Sequence, residues 1–166
     1  VYVALHKASQ WQASTAYALG DYVIPTAFDT SGPKQLYRCT TAGTSAATEP
    51  IWPTTDGGTV NDGTAVWTET TPGIEAGSNV PPEVSGGSYA RQAVTFNAPA
   101  SGSMSNSADV TFPQATAAWG RVVLFALMDA LTLGNRLYFN ALTTSKQIDA
   151  GDQFKFPAGQ LTVTED

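Results

Sequence analysis

Apolar residues in this chain come in short runs or alternate with polar ones, and glycine- and proline-marked breaks separate them. The longest run is Arg121–Met128, bounded by Gly120 and Asp129, which is the pattern of a strand buried on both faces. Val1-Tyr-Val-Ala-Leu5 is β-branched and aromatic and predicts another strand; the apolar spacing from Ala4 to Leu19 fits a helix poorly. Short strands are expected at Asp21–Ile24, Gln35–Thr40 and Ala65–Glu69, set apart by turn signals at Ser31-Gly-Pro33, Asp56-Gly-Gly58 and Asn61-Asp-Gly63. The last of these, followed by Ala65-Val-Trp67, predicts a tight hairpin. Ala93 to Ala98 alternates as one strand, and Val110 with Phe112 marks the next. Gly134-Asn135 turns the chain back along Arg136–Leu142, and Gln153–Phe156 and Leu161–Thr164 complete the series. Between Thr70 and Gly87 no period survives, and the Pro/Gly/Ser-rich composition reads as a connector. The expected class is all-β: an antiparallel β-sandwich with a small β-rich module.

Composition narrows the setting. A hydrophobic share of 42% supplies a core, whereas charged residues reach only 13%, about half the usual share. A polar but weakly charged surface suits packing against neighbours, so the chain is expected to form a homo-oligomer, most naturally a trimer. A net charge of −6 with scattered Lys and Arg argues against nucleic acid as a partner. No run is long enough to span a membrane, and no secretory apolar segment is present, so no membrane partner is expected. The chain opens on Val1 rather than Met, as expected of a start that was trimmed, processed or left out. The single cysteine, Cys39, excludes an internal disulfide and reads as a small buried hydrophobe.

The stretch Ser85-Gly-Gly-Ser-Tyr-Ala-Arg-Gln-Ala-Val-Thr-Phe-Asn-Ala-Pro99 carries a more specific signal. With Ser107–Pro113, Ala118-Trp-Gly120, Leu142-Thr-Thr-Ser-Lys146, Ala150-Gly-Asp152 and Phe156–Thr164, it resembles the tail-fibre-like β domain of tailed-bacteriophage structural proteins, the mycobacteriophage fibre type. In that family a strand like Val1–Ser9 leads directly into a loop like Pro72–Ser78. The resemblance therefore implies that residues 10–71 are an insertion at a loop tip, where extra chain costs little. Residues 1–9 and 72–166 would then form one discontinuous β-sandwich.

The insertion has its own aromatic signature in Trp11, Tyr17, Gly20-Asp21, Tyr37, Trp52 and Trp67, and is similar to small three-stranded modules of chitin-binding type. Two uses of those rings compete. A broad aromatic face matches the C–H face of a sugar, making Trp52, Trp11, Tyr17 and Trp67 the candidate contacts for a host surface glycan or a partner protein. A module this small also needs large side chains for its core, a use that fits Trp11, Tyr37 and Trp67 best and leaves Trp52, beside Pro50 and Pro53, as the exposed ring.

No constellation of catalytic residues is visible, so the chain is read as no enzyme, with no cofactor and no metal ligands. His6, the only histidine, lies in a predicted strand and reads as structural. Asp21, Asp56, Asp62, Asp129, Asp149 and Asp152 stand beside glycines or at strand ends, where carboxylates cap turns. Gly57-Gly58 and Gly86-Gly87 are turn glycines without a phosphate-binding context. The resemblance implies a non-enzymatic virion structural protein whose partners are the major capsid or tail protein. With no heptads and no repeated shaft, a capsid decoration or cement protein on the head surface is the leading expectation. The alternative is a tail fibre or carbohydrate-binding adhesin for host-surface recognition.

Overall fold

The first strand, β1 (Tyr2–Lys7), places Val3, Ala4 and Leu5 out of contact with water, so both of its faces are buried. It lies between β12 (Gly120–Met128) and β9 (Gln92–Ala93), and β13 (Arg136–Ile148) closes the sheet on the far side of β12. All three pairings are antiparallel. The computed structural model that shows this describes residues 1–30, 32, 34–71 and 79–164. The expected turn at Ser31-Gly-Pro33, Gly32 apart, and the loop at Pro72–Ser78 lie outside those residues.

Two antiparallel ribbons face this sheet: β11 (Val110–Gln114) with β14 (Gln153–Phe156), and β10 (Ser103–Ser105) with β15 (Thr162–Thr164). Between the layers, Val3, Leu5, Val122, Phe125 and Leu127 meet Phe112, Trp119, Phe154 and Phe156. Each such side chain contributes about 1.5–3 kcal/mol when fully buried. The ring contacts run Tyr89–Trp119–Phe112–Phe154–Phe156–Phe125, all with centroids within 6.4 Å. The protein is an all-β fold of the sandwich kind.

Residues 9 to 69 form a second, five-stranded sheet. Its order is β2 (Ser9–Gln10), β4 (Tyr22–Ile24), β5 (Tyr37–Thr41), β8 (Ala65–Glu69), β7 (Thr59–Asp62). A ribbon of β3 (Ala16–Tyr17) and β6 (Gly43–Thr44) flanks it. Asp62 pairs with Ala65, so the predicted tight hairpin turns on Gly63-Thr64, with Gly63 at φ +64°. Cys39 is buried as expected, its thiol pushed up by burial and donating to the Thr41 carbonyl at 3.1 Å.

A bulge seats this sheet on the sandwich. The register of β12 slips between Val122 and Leu124, so Val123 and Leu124 both turn away from the sandwich interior. They pack instead on Ala8, Ile24, Phe28 and Leu36, a shared core that joins the two sheets. Asp29 clasps the same junction: its carboxylate accepts the Ser145 N–H at 2.5 Å and the Ser145 hydroxyl at 2.6 Å, and Arg121 donates to that hydroxyl at 2.8 Å.

Two expectations need correction. Residues Ala93 to Ala98 are not one strand. Val94 N–H still bonds the Val1 carbonyl, but Asn97 N–H bonds Ser105 and the Thr95 carbonyl takes the Ser107 N–H. The chain thus leaves β1 and crosses to the opposite layer, which alternation of side chains cannot register. The strand after Gly134-Asn135 runs to Ile148 rather than Leu142, because its polar second half still pairs with Gly120, Arg121 and Val122.

Candidate functional site

Four aromatic residues were candidates for ligand contact, and the structure ties two of them, Trp11 and Trp67, to one carboxylate. Asp62 is 1% exposed; its Oδ2 accepts the indole N–H of Trp11 at 2.7 Å and of Trp67 at 2.9 Å. Its Oδ1 accepts the Ala46 N–H at 2.8 Å. Three donors on a buried carboxylate satisfy it without a cation. This corrects the turn-cap reading for Asp62. Asp21, Asp129 and Asp152 do cap turns, accepting the N–H groups of Ala18, Asn135 and Asp149.

Tyr17 meets Trp67 edge-on at 4.8 Å, and its hydroxyl accepts the Gln12 N–H at 2.9 Å. Trp11, Tyr17, Tyr37 and Trp67 are all buried. Trp52 is half-buried rather than exposed: it lies over Tyr37 at 4.3 Å, approaches Trp67 at 6.1 Å, and donates to Glu49 at 2.8 Å. Glu49 also accepts the N–H and hydroxyl of Thr26, which ties the Trp52 loop to the end of β4. The rings therefore serve one another, and the large apolar side chain open to water on that loop is Ile51.

A concave surface of the module lies elsewhere, in a cleft of about 610 Å³ between the two sheets. Lys7 and Arg121 line it from the sandwich side, Gln10, Gln12, Asp21 and Tyr22 from the module, and Gln147 from β13. Amides, an ammonium, a carboxylate and a phenol converge there, a set that can donate to and accept from a polyhydroxy ligand. Only Tyr17 among the sequence candidates borders it. The other residues come from four separate stretches of chain and share no spacing, so no motif could have marked them.

The single histidine is enclosed. His6 Nδ1–H donates to the Pro81 carbonyl at 2.8 Å, and burial pushes the imidazole below its ordinary range, leaving it neutral at pH 7. Among the described residues no group of three or more His, Cys, Asp or Glu could hold a metal ion, and no helix is long and apolar enough to cross a membrane.

The stretch that carried the phage resemblance has a mechanical role. Tyr89 OH accepts the Leu5 N–H at 2.9 Å and donates to Glu83 at 3.0 Å, and its ring packs on Phe112 and Trp119. Gly87 has φ +55°, and a Cβ there would meet the Ala117 carbonyl at 2.7 Å. Its own carbonyl accepts the Trp119 indole at 2.9 Å. The turn Gly86-Gly87-Ser88 thus admits the backbone close enough to lock Trp119 in the core.

The family described as Podophage GP4 fiber I protein gp80 matches residues 64–164, a span that begins at the β7–β8 turn and takes in every later strand. No curated protein and no solved structure matches the chain.

Proposed function

The chain belongs to the podophage GP4 fiber I protein gp80 family, and from that membership we propose that it is a non-enzymatic structural subunit of a phage tail fibre. Residues 1–9 and 72–166 form the sandwich that packs against other virion proteins, and residues 10–71 form an inserted module carried on it. The single observation behind this reading is the family match across 64–164. It favours the tail over the capsid-decoration reading, which rested on the lack of heptads and shaft repeats.

Two features of the molecule support the arrangement. Every strand from β2 to β8 pairs within residues 9–69, so the module is self-contained in its strand pairing. The joint to the sandwich is apolar and clasped by Asp29, which suits a part held at a set angle. Immunogold microscopy of purified particles with antibody against the module tests the proposal. Label confined to the tail is expected. Dense label over the head would return the decoration reading, and bare particles would sink the virion role.

A second reading has its own observation. The polar cleft between the sheets suits a host surface glycan, with Lys7, Gln12, Tyr22 and Gln147 as contacts. Tyr17 borders the cleft, and Trp11, Trp52 and Trp67 then act as the module's support instead of stacking on sugar. A glycan array probed with wild type and with Gln12→Ala/Gln147→Ala tests this. Binding lost in the double variant with an unchanged melting temperature is expected; binding by neither protein would end the glycan reading.

A further inference from the structure

We propose that the cleft between the two sheets binds an acidic sugar, with the Lys7 ammonium and the Arg121 guanidinium meeting its anionic group. The proposal rests on the glycan reading of that cleft and names the chemical class of the glycan.

Charge is the first observation. The chain carries −6 overall, with eight Lys and Arg against fourteen Asp and Glu. Within the cleft the balance reverses: Lys7 and Arg121 face a single carboxylate, Asp21. That carboxylate is already engaged, its Oδ2 accepting the Ala18 N–H at 2.7 Å in the turn before β4. A third cation stands at the Gly20 wall, where an added Cβ would lie 3.7 Å from the Arg38 guanidinium. A concave site with an excess of one charge gathers the opposite one.

Lys7 is also the cation with a free head. Lys34 donates to the Phe28 carbonyl, Arg91 is clamped by Glu83, and Lys155 pairs with Asp109 at 2.9 Å. The Lys7 ammonium makes no hydrogen bond or ion pair among the described residues. Its position is nonetheless fixed: the Lys7 N–H bonds the Pro82 carbonyl at 3.0 Å, and its Cδ would lie 3.7 Å from a Cβ on Gly120. Arg121 is held through Nη1, which donates to the Ser145 hydroxyl at 2.8 Å and lies 3.7 Å from Asp29. The rest of its fork has no acceptor among the described residues. A fork so oriented suits an anionic group of the ligand.

The remaining lining suits hydroxyls. Gln10 and Gln147 donate their amide nitrogens to the Thr26 carbonyl at 3.1 Å and to Asp149 at 3.0 Å, which leaves their oxygens to accept. Burial pushes the Tyr22 phenol above its ordinary range, so it remains a donor at neutral pH. The apolar lining is only Ala8, Ala16 and Pro82, with no hollow for the side chains of an acidic peptide. Two cations on an acidic chain are too few to follow a nucleic-acid backbone.

An array of neutral and acidic saccharides, the latter uronic-acid, sialylated and phosphorylated, tests the proposal on the full chain. Wild type is compared with Lys7→Gln and with Lys155→Gln, which makes the same charge change on the opposite layer. Wild type and Lys155→Gln are expected to bind acidic saccharides. Lys7→Gln should bind them about tenfold more weakly or worse, the effect of losing one hydrogen bond to a charged group. Near-ultraviolet circular dichroism checks that the variants are folded. Carboxyl reduction of a uronic-acid hit keeps the sugar and removes its charge, so it should weaken wild-type binding without any change to the protein. Equal binding of neutral and acidic saccharides would overturn the proposal and leave the glycan reading standing. Acidic binding that Lys7→Gln leaves intact, or that both variants weaken alike, would also overturn it. Binding to no saccharide would end both.

Discussion

Asp62 binds three donors from parts of the chain far apart, so its loss leaves two indole N–H groups and one backbone N–H buried without acceptors. Each orphaned group costs about 1–3 kcal/mol, so Asp62→Ala should lower stability by about 3 kcal/mol or more. Urea unfolding followed by tryptophan fluorescence measures this; a loss under about 1 kcal/mol would show that the hub is dispensable. Acid sensitivity is also set by single residues. Burial lowers the pKa of His6, helped by Arg136 and Arg91 and opposed by the Pro81 hydrogen bond and Glu83. The unfolded chain then binds that proton more readily, so stability is full above about pH 6.5 and falls as pH drops through the folded value. Burial pushes Glu83 up, but hydrogen bonds from Arg91 and Tyr89 and the Arg91 charge outweigh it and hold the carboxyl below its ordinary range. Its contribution is full above about pH 4.3 and is lost below, as the carboxylate takes up its proton. Urea midpoints should decline in two stages on acidification, and His6→Asn should remove the upper one.

At the scale of elements, the turn after β8 and the connector decides how the sandwich closes. Gly86 and Gly87 both have positive φ, but only at Gly87 is there no room for a Cβ. Gly86→Ala should cost about 1 kcal/mol from backbone strain alone. Gly87→Ala should cost more and release Trp119, since relief requires moving the Ala117 carbonyl or the indole that Gly87 itself accepts. Thermal melts of the pair check the order, and equal losses would mean the close approach is relaxed by a small shift. The bulge in β12 works in the same way on a larger element. By turning Val123 and Leu124 to one side it makes a strand that faces one core serve two.

Taken whole, the molecule is two sheets joined by a small apolar core and one polar clasp. The shared core joins the sheets by apolar packing, and the clasp adds a polar tie at the same junction. Asp29→Ala removes both acceptors that Ser145 uses and leaves Arg121 with Ser145 alone. Hydrogen exchange should then show opening of β4 and β5 becoming easier by about 1–2 kcal/mol while β1 and β12 keep their protection. Uniform loss across both sheets would mean the two behave as one cooperative unit.

The chain's own pattern determined its class and most of its longer strands. Side chains alternate with a period of two, runs such as Val122–Met128 need cover on both faces, and turn glycines have local causes. Rings at Trp11, Tyr37 and Trp67 were legible as core for the same reason: a small module has little else large enough to bury. What only the tertiary structure decided depends on residues far apart in sequence. Asp62 reaches Trp11 across 51 positions, and Asp29 reaches Ser145 across 116. Trp52 looked exposed because two prolines flank it, yet Tyr37 and Glu49 cover it. The chain crosses between layers near Thr95, where backbone hydrogen bonds change partner while the side chains keep alternating. Periodicity records which face a residue takes. Which neighbour fills that face is settled only when the distant segments meet.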